Sequence, residues 1–467
     1  MNKKNILSDL PSVDEILKSD TGLAWQRIYP RPYVTRAIRE EIQMQREAIL
    51  NGTEKVFSLN DAMDRIKRRI EDLSGFSLKS CINATGVVLH TNLGRSVLSP
   101  EVLKHVADVA CGYSNLEYDL EEGTRGERKA HIKQLLKEIT GAEDGIIVNN
   151  NAAAVMVCLS ELARGKEVIV SRGELVEIGG SFRIPDIMAS SGAILREVGT
   201  TNKTHCRDFE KALNENTALL LKIHQSNFRM VGFTGEVTIN EMVALGKKHN
   251  RAVMFDLGSG CLVDLKPYGV HIEPTVQEIV KAGVDVVTFS GDKLFGGPQA
   301  GVIVGKKALI DRIGKNPIMR AIRIDKMTLA AFEATLKFYI DENIAKEKIP
   351  TLAMLLQEPD KIKARAKKIA KALKRKISGD IAGVSVIEDV SQSGGGALAE
   401  VQFETFAVAI TPAGISVNEL EMRLRKGNPP VISRIKEGQL RLDARTIRDD
   451  EIPRLVVAVS SAVSAAC

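Results

Sequence analysis

The sequence predicts an α/β fold with a mainly parallel sheet flanked by helices, a small helical domain before it and a small α+β domain after it. Three observations support this prediction. Short β-branched runs alternate with helical stretches from about residue 80 to about residue 320. Before them, charged segments carry apolar residues at helical spacing. After residue 345, a helical segment is followed by shorter strand-like segments. With 467 residues, 44% of them hydrophobic and 27% charged, the chain is long enough for two or three globular domains.

Residues 1–75 are predicted to form a helical N-terminal domain. IREEIQMQREAIL (38–50) and DAMDRIKRRIEDL (61–73) carry apolar residues at helical spacing, and the Asn51-Gly52 pair separates them. Through residue 75 there are 13 Lys and Arg against 12 Asp and Glu, so this domain is not a basic block.

Residues 76–345 are predicted to form the central sheet and its helices. Helical stretches such as 128–140 and 239–250 separate most of the apolar runs. The predicted strands are 145–150, 167–171, 193–198, 218–223, 252–257, 284–290 and 301–305. Because ligands of open α/β sheets bind beyond the carboxyl ends of the strands, functional residues are expected just after each strand.

Residues 346–467 are predicted to form the C-terminal α+β domain. Its first feature is KIKARAKKIAKALKRK (361–376), an amphipathic helix with nine basic residues and no acidic one. Strand-like segments and a final helix follow. The basic face is either a solvated helix surface or a contact for nucleic-acid phosphates, and the sequence leaves both readings open.

Composition excludes several classes of protein. The net charge of +6 is mild, and an aromatic content of 4% excludes base stacking as a dominant means of recognition. The six cysteines are scattered without a C-x-x-C pair, so neither a zinc site nor a disulfide framework is indicated. With no signal peptide and no apolar run of membrane-spanning length, a cytoplasmic protein is expected.

The most informative segment is VDVVTFSGDKLFGGP (284–298). Its β-branched run predicts a buried strand that breaks into a glycine-rich loop at Ser290-Gly291-Asp292-Lys293. A lysine at the end of a buried strand loses hydration, so its amine deprotonates more easily and is able to form a Schiff base. This favours a lysine that binds pyridoxal 5'-phosphate, although an ordinary strand-to-loop lysine is the alternative.

Asp256 strengthens that interpretation. It ends the predicted strand 252–257, where a buried carboxylate is costly without a positive partner. The pyridinium nitrogen of pyridoxal phosphate is such a partner. An aspartate that caps the following loop is the alternative. However, Asp256 and Lys293 are 37 positions apart (293 − 256), which is the length of one strand-helix-strand unit. This spacing predicts that both lie at the same edge of the sheet.

A phosphate cradle is predicted after strand 145–150. Asn150, Asn151 and Ala152 begin a helix, and a helix N-terminus binds phosphate through its free N–H groups. Ser290 is expected to share this site, while plain helix capping is the alternative. His224, after strand 218–223, is expected at the same edge as either a structural or a directly acting residue.

Arginines form a further group of candidates. The loop TGVVLHTNLGR (85–95) ends in Arg95, and PIMRAIR (317–323) is predicted to place Arg320 and Arg323 on one face of a helix. Guanidinium groups bind phosphate and carboxylate oxygens through paired hydrogen bonds. Surface salt bridges are the alternative.

Taken in order along the chain, these motifs resemble the bacterial selenocysteine synthases, the L-seryl-tRNA(Sec) selenium transferase family. The matching segments are INATGVVLHTNLGRS (82–96), YDLEEGTRGER (118–128), VNNNAAAV (148–155), SRGELVEIGGSFRIPDIM (171–188), VGTTNKTH (198–205), SNFRMVGFTGEV (226–237), FDLGSG (255–260), FSGDKLFGGPQAG (289–301) and PIMRAIRIDK (317–326). Residues 1–75 also resemble that family's tRNA-binding domain.

The resemblance implies a fold-type-I enzyme that depends on pyridoxal phosphate. Lys293 would hold the cofactor as an internal aldimine, Asp256 would pair with its ring nitrogen, and Asp292 would be an active-site aspartate. The residues expected to hold the anionic selenium donor are Arg95, Arg320 and Arg323. The implied reaction converts seryl-tRNA(Sec) and selenophosphate to selenocysteinyl-tRNA(Sec) through an aminoacrylyl-tRNA intermediate. The resemblance also implies a ring-shaped homo-oligomer built from dimers.

Two other functions are compatible with parts of the sequence. A lyase or aldolase that uses pyridoxal phosphate on a free amino acid or amino sugar acid shares the catalytic core, but it does not need residues 1–75. A non-catalytic RNA-binding protein with the same fold would not need the cofactor lysine, its aspartate partner and the arginines together. The selenium transferase is therefore the preferred prediction.

Overall fold

The structure is a computed structural model and describes residues 7–8, 10–53, 57–178, 182–228, 230–270, 273–398 and 401–464. The chain divides into two compact units, Met1–Ser80 and Cys81–Cys467. The boundaries at residues 75 and 345 that the sequence suggests stay predictions. Among the described helices, none combines the length and the apolar character needed to cross a membrane.

The first unit is helical, as the periodicity predicts. Its helices are α1 (Val13–Lys18), α2 (Asp20–Ile28), α3 (Arg31–Asn51) and α4 (Leu59–Ser74). The hydroxyl of Ser58 caps α4, and Gly52 ends α3 in the left-handed conformation. Val34, Ile38 and other apolar residues of these helices form one core.

A seven-stranded sheet forms the centre of the second unit, and all seven strands predicted for it are confirmed. Its strands are β4 (Asp144–Val148), β5 (Glu167–Ser171), β8 (Ile194–Val198), β9 (Thr217–Ile223), β10 (Ala252–Gly258), β11 (Val286–Ser290) and β12 (Gly301–Gly305). Their order across the sheet is β4-β12-β11-β10-β9-β5-β8. Strand β12 is antiparallel to both of its neighbours, β11 and β4, whereas the other paired strands of this sheet are parallel, so the sheet is mainly parallel.

Helices cover both faces of this sheet. They are α5 (Pro100–Ala110), α6 (Ala130–Thr140), α7 (Asn151–Leu162), α8 (Ile184–Ser191), α9 (Cys206–Ala212), α10 (Ile239–His249), α11 (Val276–Ala282), α12 (Lys307–Lys315) and α13 (Lys326–Phe338). Strand residues alternate between two cores: Leu220 belongs to one, and Leu219 and Leu221 belong to the other. Short pairs of strands, β2 (Tyr118–Asp119) with β3 (Thr124–Arg125) and β6 (Glu177–Ile178) with β7 (Phe182–Arg183), lie outside the main sheet.

The C-terminal part adds a four-stranded antiparallel sheet. After α14 (Glu342–Lys348), α15 (Pro350–Leu355) and α16 (Pro359–Lys374), the strands are β13 (Ala382–Gln392), β14 (Gln402–Pro412), β16 (Arg434–Lys436) and β17 (Gln439–Asp443). The helices α17 (Val417–Arg425) and α18 (Ile452–Ser464) complete this part. Strand β1 (Ile82–Asn83) pairs with β15 (Val431–Ile432), which ties the loop before Arg95 to the C-terminal part.

Candidate active site

The central candidate residues lie at the carboxyl ends of neighbouring strands. Asp256 of β10 pairs in register with Thr288 of β11 and with Ile223 of β9. Lys293 follows β11, and α7 begins directly after β4. Because these strand ends meet at one edge of the sheet, residues far apart in sequence surround one site, as predicted.

Asp256 is a buried carboxylate with two side-chain donors. Nδ2 of Asn151 donates to Oδ1 of Asp256 at 2.8 Å, and Oγ1 of Thr288 donates to the same oxygen at 3.1 Å. Burial raises the pKa of Asp256 above its usual value, and these hydrogen bonds and the charge of Lys293 oppose that rise. None of the ion pairs among the described residues includes Asp256. The site therefore offers a buried acid in need of a positive partner.

Lys293 is almost fully buried, with 4% of its surface exposed. Its Nζ donates one long hydrogen bond, 3.4 Å, to the carbonyl oxygen of Gly396. Burial lowers the pKa of Lys293, the positive charge of Arg95 lowers it further, and the carboxylates of Asp256, Asp292 and Glu273 act in the opposite direction. The amine is consequently easier to deprotonate than that of an exposed lysine, which confirms the local argument from the strand end.

Gly258 lies beside Lys293 in a backbone conformation that favours glycine. Its φ of +72° is in the left-handed region, which favours glycine. A Cβ atom there would lie 3.6 Å from Oγ of Ser226 and 4.0 Å from Nζ of Lys293. The bare backbone at Gly258 thus forms the wall between Lys293 and Ser226.

Asp292 binds Arg95. Nη1 of Arg95 lies 2.8 Å from Oδ2 of Asp292, and the backbone N–H of Ser96 donates to the carbonyl oxygen of Asp292 at 3.4 Å. Arg95 has a φ of 62°, unusual for a residue with a side chain, and its N–H donates to the carbonyl oxygen of His90. The loop that ends in Arg95 is therefore held beside the cofactor lysine, as the candidate site requires.

The N-terminus of α7 has the form expected of a phosphate cradle. Asn150 is the N-cap, and its side chain accepts a hydrogen bond from the N–H of Ala153 at 2.9 Å. Asn151 and Ala152 are the first two helical residues, whose N–H groups have no intrahelical acceptor. Ser290 pairs with Gly301, and a Cβ atom on Gly301 would lie 2.0 Å from the carbonyl oxygen of Asn150. Only glycine at 301 permits this close approach of strand and helix.

These residues fit pyridoxal phosphate. The buried carboxylate of Asp256 lacks a cationic partner, the amine of Lys293 has a lowered pKa, and the helix N-terminus offers N–H donors to an anion. A ring nitrogen that carries a proton, an aldehyde and a phosphate are the three complementary groups.

Arg320 and Arg323 do not share a helix face, so that prediction is wrong. The segment forms a short 3-10 helix, Pro317–Arg320, and Arg323 lies in the irregular chain before α13. The carbonyl oxygen of Ile322 accepts a hydrogen bond from the N–H of Asn149 at 3.0 Å. This contact ties the segment to the end of β4, so the Ile322 carbonyl is not available to a helix that continues into α13.

The two arginines border a separate cavity of about 300 Å³. Glu117 binds Arg323 at 3.2 Å and Arg128 at 2.7 Å, and these residues line the cavity together with Arg320. Within the described part of the chain, no hydrogen bond or ion pair connects Arg320 or Arg323 with Lys293. The structure thus brings Arg95 to the lysine and leaves the other two arginines apart from it.

Sequence reasoning missed two partners in this region. Thr288 donates a hydrogen bond to Asp256. In the sequence, it is marked only as a polar residue within the apolar run of β11. Glu273 binds His224 and has no motif around it. Gly179, Gly180 and Ser181 of the SRGELVEIGGSFRIPDIM motif, and Arg229 of the SNFRMVGFTGEV motif, lie outside the described residues.

Two family profiles match the chain. The profile described as L-seryl-tRNA selenium transferase matches residues 81–448, and the profile described as selenocysteine synthase N terminal matches residues 7–46. Together they cover both units of the structure.

Curated relatives match nearly the full length. The L-seryl-tRNA(Sec) selenium transferase of Geobacter metallireducens is 52% identical over 458 residues, 98% of this chain and 99% of the relative. That of Geobacter sulfurreducens is 51% identical over 98% of this chain and 100% of the relative, and that of Aquifex aeolicus is 49% identical over 96% and 97%.

Among solved structures, D-glucosaminate-6-phosphate ammonia-lyase is similar in fold. The TM-score is 0.58 at 23% sequence identity, and the match covers 83% of this chain and 97% of the lyase. At this identity the likeness concerns the fold alone.

Proposed function

The chain belongs to the L-seryl-tRNA selenium transferase family, and we propose that it converts L-seryl-tRNA(Sec) and selenophosphate to L-selenocysteinyl-tRNA(Sec) and phosphate. The fold is the predicted fold-type-I architecture, and the cofactor is pyridoxal 5'-phosphate. A lyase or aldolase acting on a free amino acid or amino sugar acid is not favoured, because the selenium transferases match 96–98% of this chain, including its N-terminal unit.

One observation carries the proposal: Lys293 and Asp256 lie at adjacent strand ends, close enough for the charge of each to affect the pKa of the other. We assign Lys293 and Asp256 to cofactor binding, with Ser290, Asn150, Asn151 and Ala152 at the phosphate. Pyridoxal phosphate supplies an electron sink for the charge that develops at the seryl α-carbon.

Lys293 is the proposed general base. Burial lowers its pKa, which favours acceptance of the α-proton by its Nζ, and the same group would later return the proton to the same carbon. Asn151 and Thr288 hold the carboxylate of Asp256 in one orientation, in which it would pair with the protonated ring nitrogen of the cofactor. Asp292 is the proposed positioning residue of Arg95. This role requires no proton transfer by the aspartate.

Arg95, Arg320 and Arg323 are the proposed ligands of selenophosphate. The guanidinium of Arg95 is 28% exposed and keeps donors beyond its bond to Asp292, so it is able to bind an oxyanion. Arg320 and Arg323 make no contact with Lys293 in the described part of one chain. We propose that a second copy of the chain brings them to the site, in a homo-oligomer built from dimers.

The N-terminal unit is the proposed tRNA-binding domain. It matches the selenocysteine synthase N-terminal profile at residues 7–46. Arg31, Arg39 and Arg46 are exposed on α3 and have no ion-pair partner among the described residues, so they remain available to phosphates. Since aminoacyl-tRNA is the substrate, we place the protein in the cytoplasm.

The direct test incubates the purified protein with seryl-tRNA(Sec) and selenophosphate and identifies the amino acid on the tRNA by mass spectrometry. We expect selenocysteine, together with a visible absorption band of the bound cofactor that is lost in Lys293→Ala. A wild-type protein without the band, or equal affinity for tRNA(Sec) and tRNA(Ser), would contradict the proposal. Turnover of free serine without turnover of seryl-tRNA(Sec) would support the lyase alternative.

A further inference from the structure

A second cluster of polar side chains lies beside the lysine. His224 follows β9, and its Nε2 lies 3.0 Å from Oε2 of Glu273. The other carboxylate oxygen of Glu273 accepts a hydrogen bond from the hydroxyl of Ser259. The Glu273 side chain is 1% exposed, so a carboxylate is buried here with an imidazole and a hydroxyl as its hydrogen-bond partners.

The cluster faces a cavity of about 570 Å³, which His224, Ser226 and Glu273 help to line. Oγ of Ser226 is buried without a hydrogen-bond partner in the described part of the structure, so this wall of the cavity can accept a polar group of a ligand. Nδ1 of His224 also has no partner among the described residues. Nδ1 of His224, like Oγ of Ser226, is therefore available to a ligand.

Two contacts connect this cavity with Lys293. Ser226 and Lys293 flank the bare backbone of Gly258, and Leu398, another lining residue, follows the Gly396 carbonyl that accepts from Nζ of Lys293. The cavity and Lys293 thus adjoin the same two backbone segments, at Gly258 and at residues 396–398.

Charged side chains from three segments surround His224. Glu273 contacts the ring from the segment before α11, and Lys222 of β9 and Glu236 before α10 also line the cavity. Lys222 already binds Glu174 and Glu236, at 3.0 Å and 3.1 Å. The buried carboxylate of Glu273 is left to hold the imidazole at Nε2, in the arrangement of a histidine and the acid that orients it.

We propose that His224 is the acid that protonates the departing seryl hydroxyl and that Glu273 is its positioning residue; this rests on the proposed function. Nδ1 of His224 first accepts a proton from the seryl α-ammonium, which leaves the amine able to react. When the Cβ–O bond breaks with its electron pair on oxygen, the same proton moves from Nδ1 to that oxygen, and water leaves. The α-proton stays on Lys293, so no other donor is needed.

The kinetic test uses His224→Gln, whose amide can still donate to Glu273 but cannot transfer a proton. Seryl-tRNA(Sec) is compared with tRNA(Sec) carrying β-chloroalanine, since chloride leaves without a proton. We expect the rate with the seryl substrate to fall roughly 10²-fold or more. The rate with the chloro substrate should fall much less, because its α-ammonium also loses an acceptor but its chloride needs no proton to leave. Equal losses with both substrates, or no loss with the seryl substrate, would overturn the proposal.

A second readout does not depend on turnover. Diethyl pyrocarbonate modifies the free nitrogens of imidazole, and peptide mass spectrometry follows the modification of His224 over time. Because the carboxylate of Glu273 holds Nε2 of the ring, Glu273→Gln should raise the rate of His224 modification. An unchanged rate would overturn the pairing. If the wild type fails to turn over seryl-tRNA(Sec), the proposed function fails, and this measurement still decides the role of Glu273.

His249 is the matched control. Its Nε2 lies 3.1 Å from Oε1 of Glu210, in a similar imidazole–carboxylate pair outside the cavity. Glu273→Gln should leave the modification of His249 unchanged, and His249→Gln should retain wild-type rates with both substrates. A response of His249 that equals that of His224 would show a general effect of the substitution and overturn the specific role.

Discussion

Arg95 and Asp292 form an ion pair of 2.8 Å across 197 positions of the chain, directly beside Lys293. The pair connects the glycine-rich loop after β1 with the loop after β11. It places one positive and one negative charge near the same amine, with opposite effects on its pKa. Several of the expected outcomes below depend on such charges.

Removing the charge of Arg95 should make Lys293 harder to deprotonate. Arg95 lowers the pKa of Lys293, so Arg95→Gln should raise it, and Asp292→Asn should lower it because that carboxylate acts in the opposite direction. The pH dependence of Lys293 acylation in cofactor-free protein, followed by peptide mass spectrometry, measures both shifts. Arg172→Gln, which removes an exposed partner of Glu197, is the control. The same midpoint in all variants would contradict this account.

Asp256 should destabilise the cofactor-free protein at neutral pH. Its folded-state pKa is raised by burial, so the folded state holds its proton more tightly and stability falls as pH rises through that pKa. Asp256→Asn should therefore raise the Tm of the cofactor-free protein at pH 7.5, and the difference should shrink toward pH 4. Added cofactor should stabilise the wild type more than the variant. A lower Tm of the variant at pH 7.5 would contradict the burial argument.

Gly301→Ala should weaken cofactor binding. The new Cβ would lie 2.0 Å from the carbonyl oxygen of Asn150, so the N-terminus of α7 must move. An overpacking cost of about 1–3 kcal/mol, if borne by the bound state, corresponds to a rise in Kd of roughly 5-fold to 150-fold. Absorbance titration of cofactor-free protein measures it. Gly314→Ala is the control, because nothing lies within 4 Å of its new Cβ. Equal Kd values for the two variants would show that the close approach is unimportant.

Lys222→Met should destabilise the unit 81–467. The substitution leaves Glu174 buried without the partner that now lies 3.0 Å away. Breaking a buried pair costs about 3–5 kcal/mol, whereas an exposed pair contributes roughly 0–1 kcal/mol. Urea unfolding should show the larger loss for Lys222→Met and a small one for Lys337→Met, whose pair with Glu333 is largely solvent-exposed on the lysine side. Similar losses of unfolding free energy in the two variants would contradict the difference between the buried and the exposed pair.

The strands and the central site were predictable because their signals are local. Apolar β-branched runs determine where strands form, and the breaks after Asp256 and Ser290 place functional residues at one edge of a parallel sheet. The arginine segment was not predictable in the same way. Its spacing suits a helix, but the helix ends at Arg320, and the carbonyl of Ile322 accepts from the distant Asn149, a contact that no local pattern marks.

By itself, the sequence determined the fold class, the order of the strands along the chain, the family, and the position of Lys293 and Asp256 at one edge of the sheet. These features depend on residues within a few positions of one another or on motifs in a set order. The tertiary structure decided which side chains pair: Asp292 with Arg95, Glu117 with Arg323, and Glu273 with His224. Such pairs form between loops that are distant in sequence, and only the packing of the sheet brings those loops together.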